Sequence, residues 1–217
     1  MSDYAAARHA MVDCQVRPSD VTRFAIIDAM LWAPRELFVG KAKRDIAYAG
    51  AEIELAPGRT LLDPRCFAKM VEAAQIGSND LVMDLAPGSG YSTAVISRMA
   101  EAVIAIEPDQ DLAEWAQGLL ASLEVDNAVV THGDPAKGDP DHGAFDVIFI
   151  NGAVETLPET LTAQLKPGGR LVALFREGTV GKCCVLTRSE SGLARRFMFD
   201  ADAPLLRDFE RHEEFAF

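Results

Sequence analysis

The chain has 217 residues, of which 49% are hydrophobic and 25% charged, with a formal net charge of −12. That length and balance suit one globular domain with a small appendage. No run approaches the ~18 apolar residues of a membrane span, and the opening MSDYAAARHAMVDCQVRPSD has no apolar core behind a basic end, so neither a membrane anchor nor a signal peptide is expected.

The charge is unevenly placed. Residues 1–62 hold eight basic and eight acidic side chains, whereas residues 63–217 hold thirteen basic and twenty-five acidic. No basic stripe exists to neutralise phosphates, which argues against nucleic acid as a partner. The cysteines (Cys14, Cys66, Cys183, Cys184) and histidines (His9, His132, His142, His212) lack ligand spacing, so no metal site is expected. Adjacent strand residues such as Cys183 and Cys184 point to opposite faces. The thiols read as free and buried in a reducing cytoplasm.

Residues 4–76 read mainly helical. Positions 4–15 are Ala-rich, and Ser19 or Asp20 is placed to cap a helix through VTRFAIIDAMLWA (21–33). There Phe24, Ile27, Met30 and Leu31 recur at helical spacing. Pro34 closes this helix, and Pro34-Arg35-Glu36 starts a short helical turn. IAYAGAEIELAPGRTLL (46–62) reads as extended chain and turns. Pro64, a favoured first helical residue, opens RCFAKMVEAAQI (65–76), which Gly77 ends.

From residue 80 strands alternate with helices. Strand LVMDLA (81–86) precedes helix STAVISRMA (92–100), and strand AVIAIE (102–107) precedes helix DLAEWAQGLLASL (111–123). Strand AVVTHGD (128–134) leads through a Gly/Pro/Asp loop at 133–144 to strand DVIFING (146–152). Helix LPETLTAQL (157–165), the turn KPGG (166–169) and strand RLVALF (170–175) follow. Apolar strands separated by helices form a parallel sheet covered on both faces. GKCCVLTRS (181–189) and ARRFMFDA (194–201), joined by ESGL, read as an antiparallel hairpin. The expected fold is α/β: a doubly wound, mostly parallel sheet with an antiparallel C-terminal edge. Residues 1–78 form a helical extension and a covering loop, and 79–217 the ligand-binding domain, together one compact unit.

The stretch LVMDLAPGSGYST (81–93) is a strand ending in a small-residue turn that opens a helix. A P-loop would need a Lys that this turn lacks. A dinucleotide turn, Gly-x-Gly-x-x-Gly, would put Ala86, Gly88 and Tyr91 at its glycines, and a phenol ring where a hydrogen is required is a poor fit that leaves a dinucleotide oxidoreductase a distant alternative. Asp84-Leu85-Ala86-Pro87-Gly88-Ser89-Gly90 instead resembles the acidic-x-Gly-x-Gly-x-Gly turn of S-adenosylmethionine-dependent methyltransferases, with Ala86 for the first Gly. On that reading Glu107, which ends the second strand, accepts hydrogen bonds from both ribose hydroxyls. Asp134, after Gly133 at the end of the third strand, accepts from the adenine amino group. Asn151, at the end of the fourth, floors the methyl-transfer site.

Residues 4–175 also resemble the protein-L-isoaspartate O-methyltransferases. The resemblance is carried by AMLWAPRELFV (29–39), PGRTLLDP (57–64), DLAPGSGYSTAVIS (84–97), HGD (132–134) and the run from FDVIFINGAVETLP (145–158) to LKPGGRLV (165–172). It implies a Rossmann-like methyltransferase sheet with S-adenosylmethionine as cofactor. It further implies methylation of the free carboxylate of isoaspartyl residues in damaged proteins or peptides. Such a carboxylate is already ionised near neutral pH and needs no general base. Typical members read Gln-Thr-Ile-Ser, with the Ser hydroxyl at the reaction centre, whereas this chain reads Arg59-Thr60-Leu61-Leu62. Leu62 therefore stands at the Ser position, with Thr60 as the nearest replacement hydroxyl. The tail after 175 also departs from the family. These departures leave open a related methyltransferase with another carboxylate or small-molecule acceptor, or a cofactor-binding protein without transfer activity.

Overall fold

The computed structural model describes residues 3–211. The N-terminal extension comprises α1 (Tyr4–Met11), α2 (Phe24–Trp32), the hairpin of β1 (Ile53–Ala56) and β2 (Arg59–Leu61), and α3 (Pro64–Ala74). Then come β3 (Leu81–Leu85), α4 (Tyr91–Ser97), β4 (Ala102–Glu107), α5 (Gln110–Ser122) and β5 (Ala128–His132). The chain continues through β6 (Phe145–Val154), α6 (Glu159–Thr162), β7 (Leu165–Glu177), β8 (Val180–Ser189) and β9 (Gly192–Asp200).

The main sheet has seven strands in the order β5-β4-β3-β6-β7-β8-β9. The first five run parallel and the last three pair antiparallel. Its interior strands are nearly continuous apolar runs because both faces are covered. One face packs with the helical extension: Met11, Ile27, Phe38 and Phe67 share a core with Val82, Val95, Val147 and Val172. The other face buries Met83, Ile148, Leu171 and Phe175 with the C-terminal residues Leu206 and Phe209. Cys183 belongs to the first core and Cys184 to the second, as the pleat of β8 requires. Cys14, expected to be buried, is exposed.

Several helix boundaries differ from the sequence expectation, and at the end of α3 a tertiary contact outcompetes the local signal. Neither Ser19 nor Asp20 caps α2. The Ser19 hydroxyl donates back to the Gln15 carbonyl at 2.8 Å, Asp20 takes φ 63°, and α2 begins only at Phe24. Of the apolar stripe, Ile27 and Met30 are buried as expected and Leu31 is half-buried, but the ring of Phe24 is 77% exposed, and Ile26 and Ala29 are buried beside them. The Ala-rich helix ends at Met11, and a π-helical turn carries the chain over Val12–Val16. At α3 the start is as expected: Pro64 is first, and the Asp63 carboxylate accepts the Arg65 and Cys66 amides, each at 3.0 Å. It stops at Gln75, with φ 49°, two residues before Gly77. Arg170 of β7 collects the carbonyls of Ala74 and Gln75 and pairs with Asp80. The helix expected over 157–165 shortens to the four residues of α6. The KPGG turn loops out within β7, where the register jumps from Leu165 opposite Phe145 to Arg170 opposite Val147.

The tail beyond β9 returns to the carboxyl end of β6. Leu205 bridges Ala153, the Ala153 amide donates to Pro204, and the Leu206 amide donates back to Ala153 at 2.9 Å. The acidic-aromatic residues after Arg211 lie outside the described residues. Removing the buried Phe209 ring should cost about 3–5 kcal/mol, whereas truncating the exposed Phe24 should change stability by about 0.5 kcal/mol or less. Urea unfolding of Phe209→Ala and Phe24→Ala checks this; equal losses would contradict the assigned packing of the tail.

Candidate active site

Strand order reverses at β3. The chain proceeds outward through β4 and β5, then returns to lay β6 on the other side of β3. In open α/β sheets the crevice at such a switch point, outside the carboxyl ends of the strands, is where ligands bind. Here it is bordered by the 84–90 turn, Glu107 and Asn151.

The turn needs left-handed backbone at three places: Ala86 (φ 58°), Gly88 (φ 63°) and Gly90 (φ 89°). Glycine takes this conformation freely, whereas for alanine it costs roughly 1–2 kcal/mol, so Ala86 holds a strained backbone at the template's first glycine position. Gly90 cannot carry a side chain: a Cβ there would lie 2.9 Å from the Ala116 Cβ of α5. Buried Pro87 follows Ala86, and the Ser89 hydroxyl donates to the Phe38 carbonyl at 2.5 Å, tying the turn to the extension. Tyr91, the residue that fits a dinucleotide turn poorly, is buried between Phe38 and Phe67, with ring centroids 5.5 and 5.4 Å away.

Asp84 is fully buried. Its Oδ2 accepts the Ser92 and Thr93 hydroxyls at 2.8 and 2.7 Å, and its Oδ1 accepts the Asn151 amide at 2.5 Å. Burial dominates and pushes its pKa up to about 6; the three donors oppose the rise and the Glu107 charge adds to it. Asn151 thus orients Asp84 and also reaches the Leu85 carbonyl at 3.3 Å.

Glu107 is also fully buried, and burial raises its pKa despite the donors around it. Those donors fill its acceptor capacity. Oε1 takes Arg59 Nε and the Asp109 amide, both at 3.2 Å, and Oε2 takes Arg59 Nη2 and the Gly88 amide, both at 2.6 Å. A carboxylate offers about four lone-pair sites, and four donors occupy them here. Arg59 Nη2 also donates to the Ala86 carbonyl at 2.7 Å. Leu55, on the same hairpin, lies so close to Gly88 that a Cβ there would meet its Cδ1 at 2.7 Å. A cleft of about 330 Å³ remains between Pro57, Arg59, Pro108, Asp109, Leu206 and Arg207. Asp134 stands apart in an exposed turn, bound to the Ala136 amide and Lys137, while the Gly133 amide joins the Glu107 carbonyl.

The 57–64 segment is pinned from beneath. Arg35 is fully buried; its Nε donates to the Ala47 carbonyl at 2.7 Å and its Nη2 to the Leu62 carbonyl at 2.6 Å. Its guanidinium lies over the Tyr91 ring, 4.9 Å from the centroid. Neighbouring Glu36 binds Arg8 and the Tyr48 hydroxyl. The Leu62 side chain, at the position of the family Ser, is 3% exposed and packs in the first core. Thr60, part-buried, pairs across the hairpin with Glu54.

The family model for protein-L-isoaspartate(D-aspartate) O-methyltransferase matches residues 7–193. The chain belongs to this family. A protein-L-isoaspartate O-methyltransferase of Pelotomaculum thermopropionicum is 38% identical over 188 residues, covering 87% of this chain and 82% of the relative. One from Methylorubrum extorquens is 39% identical over 170 residues, 78% of this chain and 74% of its own. Among solved structures, a protein-L-isoaspartate O-methyltransferase superposes with a TM-score of 0.82 at 23% identity, covering 92% of this chain and 65% of that one. A Plasmodium falciparum β-aspartate methyltransferase, in complex with S-adenosyl-L-homocysteine, superposes with a TM-score of 0.79 at 18% identity over 96% of this chain and all of that one. These two superpositions carry the fold: the Rossmann-like methyltransferase sheet expected from the resemblance.

Against the cofactor of this family the site fits in part. The small-residue turn and the buried Asp84 suit a close-lying, phosphate-free ligand at the switch point. Glu107 stands at the end of the second strand as a ribose acceptor should, but its lone pairs are taken by Arg59. Local sequence pattern assigns Arg59 no role and gives Arg35 none beyond the short helical turn that it helps to start. For Arg59 a signal was present: a cation in the loop where typical members carry Gln.

The raised Asp84 pKa sets a pH dependence. The folded value, about 6, lies above the ordinary 3.8, so the folded state holds the proton more tightly. Stability is then greatest below pH ~4 for this group and falls as pH rises to about 6. The loss is about 3 kcal/mol, at ~1.4 kcal/mol per pH unit. Asp84→Asn should remove that slope and match or exceed the wild type in stability at pH 7.5. Urea unfolding at several pH values measures it; parallel pH profiles for the two proteins would refute the assignment.

Proposed function

We propose that this chain transfers the methyl group of S-adenosylmethionine to the free carboxylate of isoaspartyl residues in damaged proteins or peptides, in the cytoplasm and without a nucleic-acid partner. The observation that carries the reading is the buried Asp84 and its left-handed turn at the switch point, in a chain that matches this family over residues 7–193. The free cysteines, three of them buried, suit a reducing compartment. The acidic surface suits a soluble partner better than a polyphosphate.

Asp84, Ala86, Pro87, Gly88, Ser89 and Gly90 would hold the cofactor, with Glu107 at its ribose and Gly133, Asp134 and Asn151 along the adjoining strand ends. Bound there, the cofactor supplies an electrophilic methyl on sulfur. The protein's part is alignment and exclusion of water, because an isoaspartyl carboxylate is ionised near neutral pH and attacks without a base. Arg35 sets that alignment indirectly: by gripping the Leu62 carbonyl it fixes the height of the loop over the turn. Thr60 is the hydroxyl of that loop nearest the acceptor position in sequence.

A second reading, an acceptor other than isoaspartate, is favoured by one observation. Leu62 carries no hydroxyl and its side chain is committed to the core. In that position Leu62→Ser should lose about 2–5 kcal/mol of stability, as buried Leu truncations do, without a rise in turnover. Urea unfolding and initial rates on one preparation test both halves.

A labelled-methyl assay of the full chain against an isoaspartyl peptide and its aspartyl counterpart separates the readings. Base-labile incorporation into the isoaspartyl peptide alone is the expected result. Labelling of neither peptide, with cofactor bound, would turn the assignment to another acceptor.

A further inference from the structure

We infer that Arg59 competes with the cofactor ribose for the Glu107 carboxylate, so that the tip of the β1–β2 hairpin must release Glu107 before the ribose can bind. The inference rests on the cofactor reading above. Glu107 is the one buried carboxylate at the end of β4, and all four of its acceptor sites are filled from within the chain, two by Arg59. The backbone amides of Gly88 and Asp109 belong to the framework of the crevice and stay. The two bonds from Arg59 are the exchangeable pair, matching the two donors of a vicinal diol in number.

In the element carrying Arg59 the base is held by Ile53 and Leu61, both buried in the first core, and the exposed Pro57-Gly58 tip is the part that can move. β1 and β2 form a separate two-stranded sheet with no ladder to the main one. Isolated two-stranded hairpins are marginally stable, so side-chain contacts decide where this one rests. Those contacts point into the crevice: Arg59 on Glu107 and the Ala86 carbonyl, and Leu55 over Gly88. Outside it, Lys43 Nζ donates to the Glu54 carbonyl at 2.6 Å. From the opposite wall Leu206 covers Gly152, where a Cβ would come within 2.7 Å of its Cγ. The remaining cleft between hairpin and tail is the opening that a lifting hairpin tip would enlarge.

Swinging out, the guanidinium exchanges Glu107 for water, and the ligand's hydroxyls take over the vacated lone pairs. Apparent affinity is then the intrinsic affinity multiplied by the fraction of molecules with the hairpin tip released. A neutral side chain at 59 raises that fraction. The experiment is calorimetric titration of S-adenosylhomocysteine into wild type, Arg59→Gln and Arg59→Ala, each checked for folding by circular dichroism. Both variants should bind at least about tenfold more tightly than wild type. Equal or weaker binding by folded variants overturns the competition while leaving the cofactor reading intact. Binding by none of the three proteins overturns both. Should the variants not fold, the wild type still decides. Its Arg59 Nε–H resonance, ¹⁵N-labelled and assigned by selective labelling, should leave its paired position at saturating S-adenosylhomocysteine; an unchanged resonance in the saturated protein overturns the inference.

Discussion

A single buried carboxylate joins the three elements that make the crevice. Asp84 ends β3, takes hydroxyl bonds from the first turn of α4 and an amide bond from β6. Burying that group without donors would be costly, and each donor lowers the cost while fixing the position of its own element. The left-handed turn that follows is held in the same way: Ser89 to Phe38 on one side, Gly90 against α5 on the other. The floor of the site is therefore cross-linked through its buried polar groups, which bond β3, α4, β6 and the extension to one another.

The roof is organised on a different principle. The hairpin and the returning tail each touch the crevice through a few side chains, and neither is a strand of the main sheet beyond the bridge at Leu205. A cross-linked floor and a detachable roof suit a reaction that must enclose a methyl donor, exclude water and then release a product of nearly the same shape. Arg35 couples the two layers. Its buried charge is stabilised by two carbonyls and the Tyr91 ring, with the Asp63 charge adding to them, so it holds the base of the loop still while the hairpin tip is free to move.

The departures from the family fall in this roof. Arg59 stands where typical members carry Gln, and Leu62 where they carry Ser. The matched region ends at residue 193, before the tail segment whose Leu206 and Phe209 close the second core.

Much of this was determined by the sequence alone. Continuous apolar runs separated by helices specify a parallel sheet, because a strand buried on both faces has no place for polar alternation. The register of acidic residue and small residues at 84–90 specified the turn and the ligand class, since left-handed backbone and close approach select side chains strictly. The start of α3 at Pro64 was legible from its local residue preference, and the structure adds the Asp63 cap. What only the tertiary structure decided were contacts between residues far apart in the chain. α3 ends at Gln75 because Arg170, from a strand nearly a hundred positions later, claims its last carbonyls. Phe24 faces solvent because Ile26 and Ile27 fill the core instead. Glu107 meets Arg59 rather than standing open because a hairpin 48 positions earlier folds over it. Local propensity and spacing are encoded within a few residues, whereas the partner a buried charge finds depends on which distant segment arrives there.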